Sequence, residues 1–352
     1  MLTLFLWRQK EFCYEGKRIS QWFREAVYAG GTSYQASPSF EAFRRMEGDA
    51  VPFLTGWVGA HPSAVDRAYL KIFRWLPSVV AGKLPAPRDA GFYSTRRNRA
   101  LELLGQVGMM QRFKEEVGES SGKASIAQAI PVVRAALRDP STRVFAAQAL
   151  WFIGPPAAVV VPDLVEIAKD PNDPAYGAAV QSFGLIGPPA DEAVEVLAKI
   201  AGSGARNDLQ AIESLGGIGP GARSAAPALT SMLTHPNEAI RVSSARTLAQ
   251  IGVTPNEAVP ALLAMRQATN DWARTVAAFA LWNRNTNDLA LMDDLVSAFG
   301  TERRGWLAYS MGCLGVPAAP FLPEIQKLVD DPDNNVQRFA KAALTRIRVV
   351  QK

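Results

Sequence analysis

Large apolar residues recur along most of this chain at a fixed interval. In the segments QALWFIGPPA, QSFGLIGPPA, ESLGGIGPGA, RTLAQIGVTP, FALWNRNTND, YSMGCLGVPA and AALTRIRVVQ the shared position falls at Leu150, Phe183, Leu215, Leu248, Leu281, Met311 and Leu344. The steps are 33, 32, 33, 33, 30 and 33 residues, which is a structural period and not a chance series. Three residues further on stand Ile153, Ile186, Ile218, Ile251, Arg284, Leu314 and Ile347, mostly followed by glycine at 154, 187, 219, 252 and 315. Apolar residues three apart share a helix face, and a glycine just past the last of them is a helix stop. Pro155, Pro188, Pro220 and Pro317 then bar continuation.

The next helix is predicted to open twelve residues after the large apolar position, where Pro162, Pro227, Pro260 and Pro323 stand. Proline suits a first helical turn, because its missing N–H would be unpaired there anyway. Glu195 and Asp293 hold the same slot in two other units, where acids suit the helix dipole. These helices are short and run out at Asp139-Pro140, Asp170-Pro171, His235-Pro236 and Asp331-Pro332. Small residues at Ala146, Ala179, Ala211, Ser244, Ala277 and Ala340 mark where paired helices cross closely.

A unit is therefore a short helix, an Asp-Pro-type turn, a second helix and an Ile-Gly-Pro turn. Neither amphipathic helix can bury its face alone, so units must stack. No stretch shows sustained strand alternation bounded by hairpin signals. The expected fold is all-α: a right-handed α-α superhelix, a solenoid of stacked antiparallel helix pairs.

The second-helix segments RVFAAQALWFIG (143–154) and IRVSSARTLAQIG (240–252) resemble the bacterial HEAT-like repeat, whose second helix reads roughly Val-Arg-x-x-Ala-Ala-x-Ala-Leu-x-x-Ile-Gly. The resemblance is dense over residues 125–352 and weakens where Tyr176 replaces the arginine and where Arg284-Asn285 replaces Ile-Gly. Residues 40–124 form an irregular, degenerate portion. Within it AVPFLTGWVGAHP (50–62) fits a first helix and RRNRALELLGQVG (96–108) a second, with Arg97 and Leu104 in register. The Pro-rich run 77–93 reads as an inserted loop, and the polar stretch 115–123 as a surface loop or turn of helix. Residues 1–39 form an N-terminal segment. There CYEGKRISQWF (13–23) is similar to the entry of membrane-anchored HEAT-repeat proteins, which read Tyr-x-Gly-Lys-x-x-Ser-x-Trp-Leu after a membrane helix. Tyr14, Gly16, Lys17, Ser20 and Trp22 match, and Phe23 departs.

Met1–Trp7 is apolar but far shorter than the ~20 residues that span a bilayer, and its charges follow it instead of preceding it. Two expectations stay open: a cytoplasmic chain as written, or an extracytoplasmic, membrane-anchored one whose N-terminal anchor has been truncated. No membrane association is expected other than through such an anchor.

Charge and composition narrow the partners. Residues 1–124 hold 18 Lys and Arg against 12 Asp and Glu, and 18 of the 31 aromatics, while residues 125–352 hold 20 against 21. A near-neutral repeat region argues against a nucleic-acid groove. Cys13 and Cys313 have no paired spacing, so neither a disulfide framework nor a structural zinc site is expected. His61 and His235 each precede a proline at the same kind of turn and read as turn residues. GESSGKAS (118–125) lacks the phosphate-loop spacing and the preceding strand, and GGIGPGA (216–222) is one copy of the inter-repeat turn. No catalytic residue, cofactor site or metal site is expected.

Arg97, Arg143, Arg241, Arg274 and Arg304 occupy one equivalent slot, interrupted by Tyr176 and Asp208. They are expected chiefly to tie repeats together through the turn acids Asp139, Asp170 and Asp331, with a cationic ladder as the alternative. Trp151 and Trp282 share a slot after the large apolar position, whereas Trp272 and Trp306 stand beside Arg274 and Arg304. Trp with Arg is the composition of a protein-binding hot spot. Trp272, Arg274, Arg304 and Trp306 are accordingly the candidate partner-binding residues, against the rival reading of buried core. The function expected is a non-catalytic scaffold, a monomer binding another protein. The resemblance also admits enzymes, since HEAT-like lyases attach bilins and HEAT-like glycosylases excise alkylated bases.

Overall fold

The computed structural model describes residues 11–28, 37–116, 125–203 and 207–349. Met1–Trp7 and most of the 115–123 stretch lie outside them. The chain divides into two compact units, residues 1–112 with 120–157 and residues 158–352 with 113–119. The first regular helix pair therefore groups with the irregular portion.

The first unit opens with a two-residue hairpin, β1 (Cys13–Tyr14) and β2 (Lys17–Arg18), turned by Glu15 and Gly16, both at positive φ. The hairpin is fastened to α1 (Ile19–Tyr28). The Trp22 indole donates to the Tyr14 carbonyl at 3.0 Å, and the Lys17 ammonium lies 4.1 Å over the Trp22 ring. Then follow α2 (Pro38–Met46), α3 (Val51–Val58), α4 (Ala64–Trp75), a single turn α5 (Ser78–Ala81) and α6 (Ala90–Glu116). The pair α7 (Ile130–Ala136) and α8 (Arg143–Ile153) completes it. Of the run 77–93, residues 77–89 are a loop broken by α5 and residues 90–93 already belong to α6, while α4 is a further helix that periodicity did not reveal.

The second unit alternates first helices α9 (Val161–Ala168), α11 (Val194–Ala201), α13 (Ala226–Met232), α15 (Val259–Arg266), α17 (Leu289–Ala298) and α19 (Leu322–Lys327) with longer second helices. The latter are α10 (Tyr176–Ile186), α12 (Asp208–Ile218), α14 (Glu238–Ile251), α16 (Asp271–Trp282), α18 (Arg304–Leu314) and α20 (Asn334–Val349). Among the described residues only the hairpin is strand, and no helix is long and apolar enough to cross a membrane. The architecture is an α-solenoid of antiparallel helix pairs.

The periodic positions have the predicted roles. Leu150, Phe183, Leu215, Leu248, Leu281, Met311 and Leu344 are all buried, as are the small residues at 146, 179, 211, 244, 277 and 340. Pro162, Pro227, Pro260 and Pro323 sit in the first turn of their helices. The five stop glycines all have φ between 70° and 76°. Gly154, Gly187, Gly219 and Gly315 combine this with ψ between −131° and −145°, whereas Gly252 is left-handed helical at ψ 28°.

Two features differ from expectation. A 3-10 segment separates most stop glycines from the next helix, as in Pro188–Ala193 and Val316–Phe321. At Arg284-Asn285 both glycine and 3-10 segment are missing, and α17 starts early with Asp288 as its N-cap. That omission is the origin of the 30-residue step, and it leaves Asp293 in mid-helix rather than in the first turn.

A second row of small residues, one before each large apolar position, was not anticipated. Ala149, Ser182, Ser214, Thr247, Ala280, Ser310 and Ala343 are all buried. At several seams they let neighbouring second helices approach backbone to backbone. The Ser214 hydroxyl donates to the Val180 carbonyl at 2.7 Å, and Thr247 to the Ile212 carbonyl at 2.9 Å. A Cβ on Gly217 would stand 2.2 Å from the Gly184 carbonyl oxygen, and one on Gly312 2.8 Å from the Ala343 Cα.

Candidate partner-binding site

The arginine slot proves to be mainly internal wiring. Arg143 Nε donates to the Leu137 carbonyl at 2.8 Å and Arg241 Nη1 to the His235 carbonyl at 2.8 Å. Gln337, in the same slot, donates to the Asp331 carbonyl at 2.7 Å. Each reaches six residues back and closes the turn between its own helices. Arg97 Nε holds the Val58 carbonyl at 2.9 Å, and its Nη1 meets Asp139 Oδ2 at 2.6 Å. That hydrogen bond, with those from Ser141, lowers the Asp139 carboxyl to about 2. His61 lines a cavity of about 260 Å³ beside this pair. Asp170 receives no arginine among the described residues; its carboxylate instead accepts the Asn172 N–H at 2.9 Å.

Arg304 belongs to the same wiring. Its Nε and Nη2 meet the two Asp331 oxygens at 2.6 and 3.0 Å. The Asp331 carboxyl is held below its ordinary value by this pairing, and the Arg304 guanidinium is raised by it. Arg274 pairs with Asp271 one turn back on α16, and both are exposed.

The structure brings Trp272 and Trp306 together. Asn270 caps α16, its side chain accepting the Trp272 N–H at 2.9 Å, and so fixes Trp272 in the first turn. Trp306 occupies the first turn of α18. The rings meet edge to face at 4.4 Å and 85°, and the Trp306 ring also meets Phe279 at 5.9 Å and 87°. Both tryptophans are half-buried. The Arg303 guanidinium, exposed and absent from the sequence-based set, lies 5.0 Å over the Trp272 ring. A cation beside a partly exposed indole invites that contact.

The seam between α16 and α18 differs from its neighbours. Among the described residues these helices make no backbone approach like that of α10 with α12, since the rings of Trp272, Phe279 and Trp306 fill the space. Trp282, fully buried, meets Phe321 at 4.9 Å. The small-residue row loses its partner here: among the described residues the buried Ser310 hydroxyl has no hydrogen-bond partner, nor do the Trp282 and Trp306 indole N–H groups.

A family model described as HEAT repeats matches residues 205–282. No curated protein matches the chain. Among solved structures, an engineered protein is similar at 18% identity, with 94% of this chain and 98% of that one covered and a TM-score of 0.41. A designed armadillo repeat protein in complex with the peptide (KR)4 is 16% identical over 62% of this chain and 99% of that one, with a TM-score of 0.39. The complex of CpcE and CpcF of phycocyanin lyase from Nostoc sp. is 15% identical over 82% and 98%, also with a TM-score of 0.39. Likeness at this level says nothing of activity. Residues 205–282 match HEAT repeats, and the neighbouring units keep the same buried positions and largely the same turns, so the match lies within a continuous helical repeat array.

Proposed function

We propose that the chain is a non-catalytic scaffold that binds a partner protein, with docking centred on Trp272, Trp306 and Arg303. The observation that carries this reading is the half-exposed Trp272–Trp306 pair with an exposed guanidinium over one ring. Aromatic residues and arginine dominate binding energy where a partner can exclude water from them. Arg274 and Asp271 supply a charged rim, whose contribution is to orientation more than to affinity. Arg304 is assigned to the fold.

The test compares capture of the native partner by the wild type and by Trp272→Ala, Arg303→Ala and the double variant. Loss of a hot-spot residue costs about 2 kcal/mol, roughly thirtyfold in affinity. The double variant should lose at least that much while its helical circular dichroism is retained. Arg303→Ala, altering an exposed side chain, should weaken capture with no change in melting temperature. Undiminished capture by correctly folded variants would move the docking surface elsewhere.

A further inference from the structure

Helix α4 carries a face that the described residues leave uncovered. None of its twelve residues is buried, although it holds Val65, Tyr69, Leu70, Ile72, Phe73 and Trp75. Val65 and Ile72, seven apart and on one side, are 76% and 57% exposed, and Trp75 is 85% exposed. The surface continues through Val79, Val80 and Leu84, also exposed. Singly exposed apolar residues need no explanation, but a contiguous group on one helix and the turn after it does.

The charges along this segment have one sign facing outwards. Arg67, Lys71 and Arg74 stand at i, i+4 and i+7, on the opposite flank from Val65 and Ile72, and Lys83 and Arg88 follow. Both acids of the segment are engaged within the fold. Asp66 accepts the Ser63 N–H and hydroxyl and the Tyr93 hydroxyl at 2.9, 2.6 and 2.9 Å, and Asp89 caps α6 by accepting the Phe92 N–H at 2.8 Å. Lys71, Arg74 and Lys83 form no ion pair among the described residues. The helix is nonetheless held in place: Ser63 and Asp66 make a reciprocal cap, and the Tyr69 hydroxyl donates to the Pro85 carbonyl at 2.7 Å.

We infer that α4, with the turn after it, is an interfacial helix that seats this chain on an anionic lipid surface. A protein groove would bury the apolar flank and meet selected cations with fixed acids. A bilayer interface instead accepts an apolar arc, a terminal tryptophan at headgroup depth and an unpaired cationic flank all at once. The cations supply complementarity to anionic headgroups, and the apolar flank enters the headgroup–acyl boundary. This surface is separate from the tryptophan pair on α16 and α18.

The test is co-sedimentation of the full chain with vesicles of phosphatidylcholine containing phosphatidylglycerol, and with phosphatidylcholine alone. The wild type should sediment with the anionic vesicles, and less as salt is raised. Each cation near such a surface is worth about fivefold in binding, so Lys71→Ala with Arg74→Ala should weaken it about twenty-five-fold. Ile72→Ser with Trp75→Ser should abolish it. All four side chains are exposed, so circular dichroism should be unchanged. Should a double variant prove misfolded, Trp75→Ser alone gives the decisive reading. The inference fails if the wild type ignores anionic vesicles, or if the α4 variants bind them as well as the wild type does. It fails equally if binding to neutral and anionic vesicles is the same, or if the face proves to hold a protein partner and no lipid.

Discussion

Arg304 grips both carboxylate oxygens of Asp331, an acid on the turn of the following repeat, through two nitrogens of its planar guanidinium. The bond is a clasp between successive units, and Asp331 also caps its own turn by accepting the Asp333 N–H at 2.9 Å. Arg304→Ala should lower the melting temperature, and lysine should restore only part of the loss, because it lacks the two-pronged geometry. A double-mutant cycle with Asp331→Asn should show clear coupling, since the two side chains touch. Strict additivity would mean that the clasp carries no stability.

Asp139 gives the corresponding pH dependence. Its folded-state value, about 2, lies below the ordinary 3.8 because it accepts from Arg97 and Ser141. A depressed carboxyl contributes stability that is complete above its unfolded value and vanishes as pH falls through the folded one. Stability from this pair should therefore be present above about pH 4 and decline towards pH 2. Urea midpoints measured across that window should fall less steeply for Asp139→Asn than for the wild type.

Leu248 is fully buried between the helices of its unit. Leu248→Ala should cost about 2–5 kcal/mol, the usual range for truncating a core leucine, read as a shift in denaturation midpoint. A loss typical of surface sites, below ~0.5 kcal/mol, would place the residue outside the core.

Two glycines a short distance apart separate crowding from strain. A methyl on Gly217 meets backbone, the Gly184 carbonyl at 2.2 Å, whereas nothing lies within 4 Å of one on Gly219, whose φ is 71°. Gly219→Ala should cost about 1–3 kcal/mol through backbone conformation alone. Gly217→Ala should cost more, since neither helix backbone can yield without moving the other. The opposite order would show that α10 and α12 are not held in close contact.

The repeat was legible because helix-face spacing, stop glycines and first-turn prolines are local effects, written in adjacent residues. Leu150 to Leu344 and their glycines needed no knowledge of the neighbouring unit. The partners of the arginine slot were not legible to the same degree, since Arg143 finds a carbonyl and Arg304 a carboxylate from the same position. That choice depends on which turn comes within reach after packing. The contact of Trp272 with Trp306 likewise required two units to be stacked. Arg303 was hidden by its neighbour: two consecutive arginines point to different sides of a helix start, and only the arrangement of α16 and α18 decides which meets an indole. Helix α4 escaped because the proline-rich stretch after it dominates the local pattern.

The four stop glycines with strongly negative ψ occupy a backbone region that residues with side chains enter only under strain. Nearly every other position in a unit has some substitute, because apolar volume can be redistributed and surface charge exchanged. Gly252, in the left-handed helical region, could give way to asparagine. At the other four joints every substitution carries that strain, so these glycines should outlast the helices around them. In a much-diverged descendant, their spacing would be the last trace of how many units the array once held.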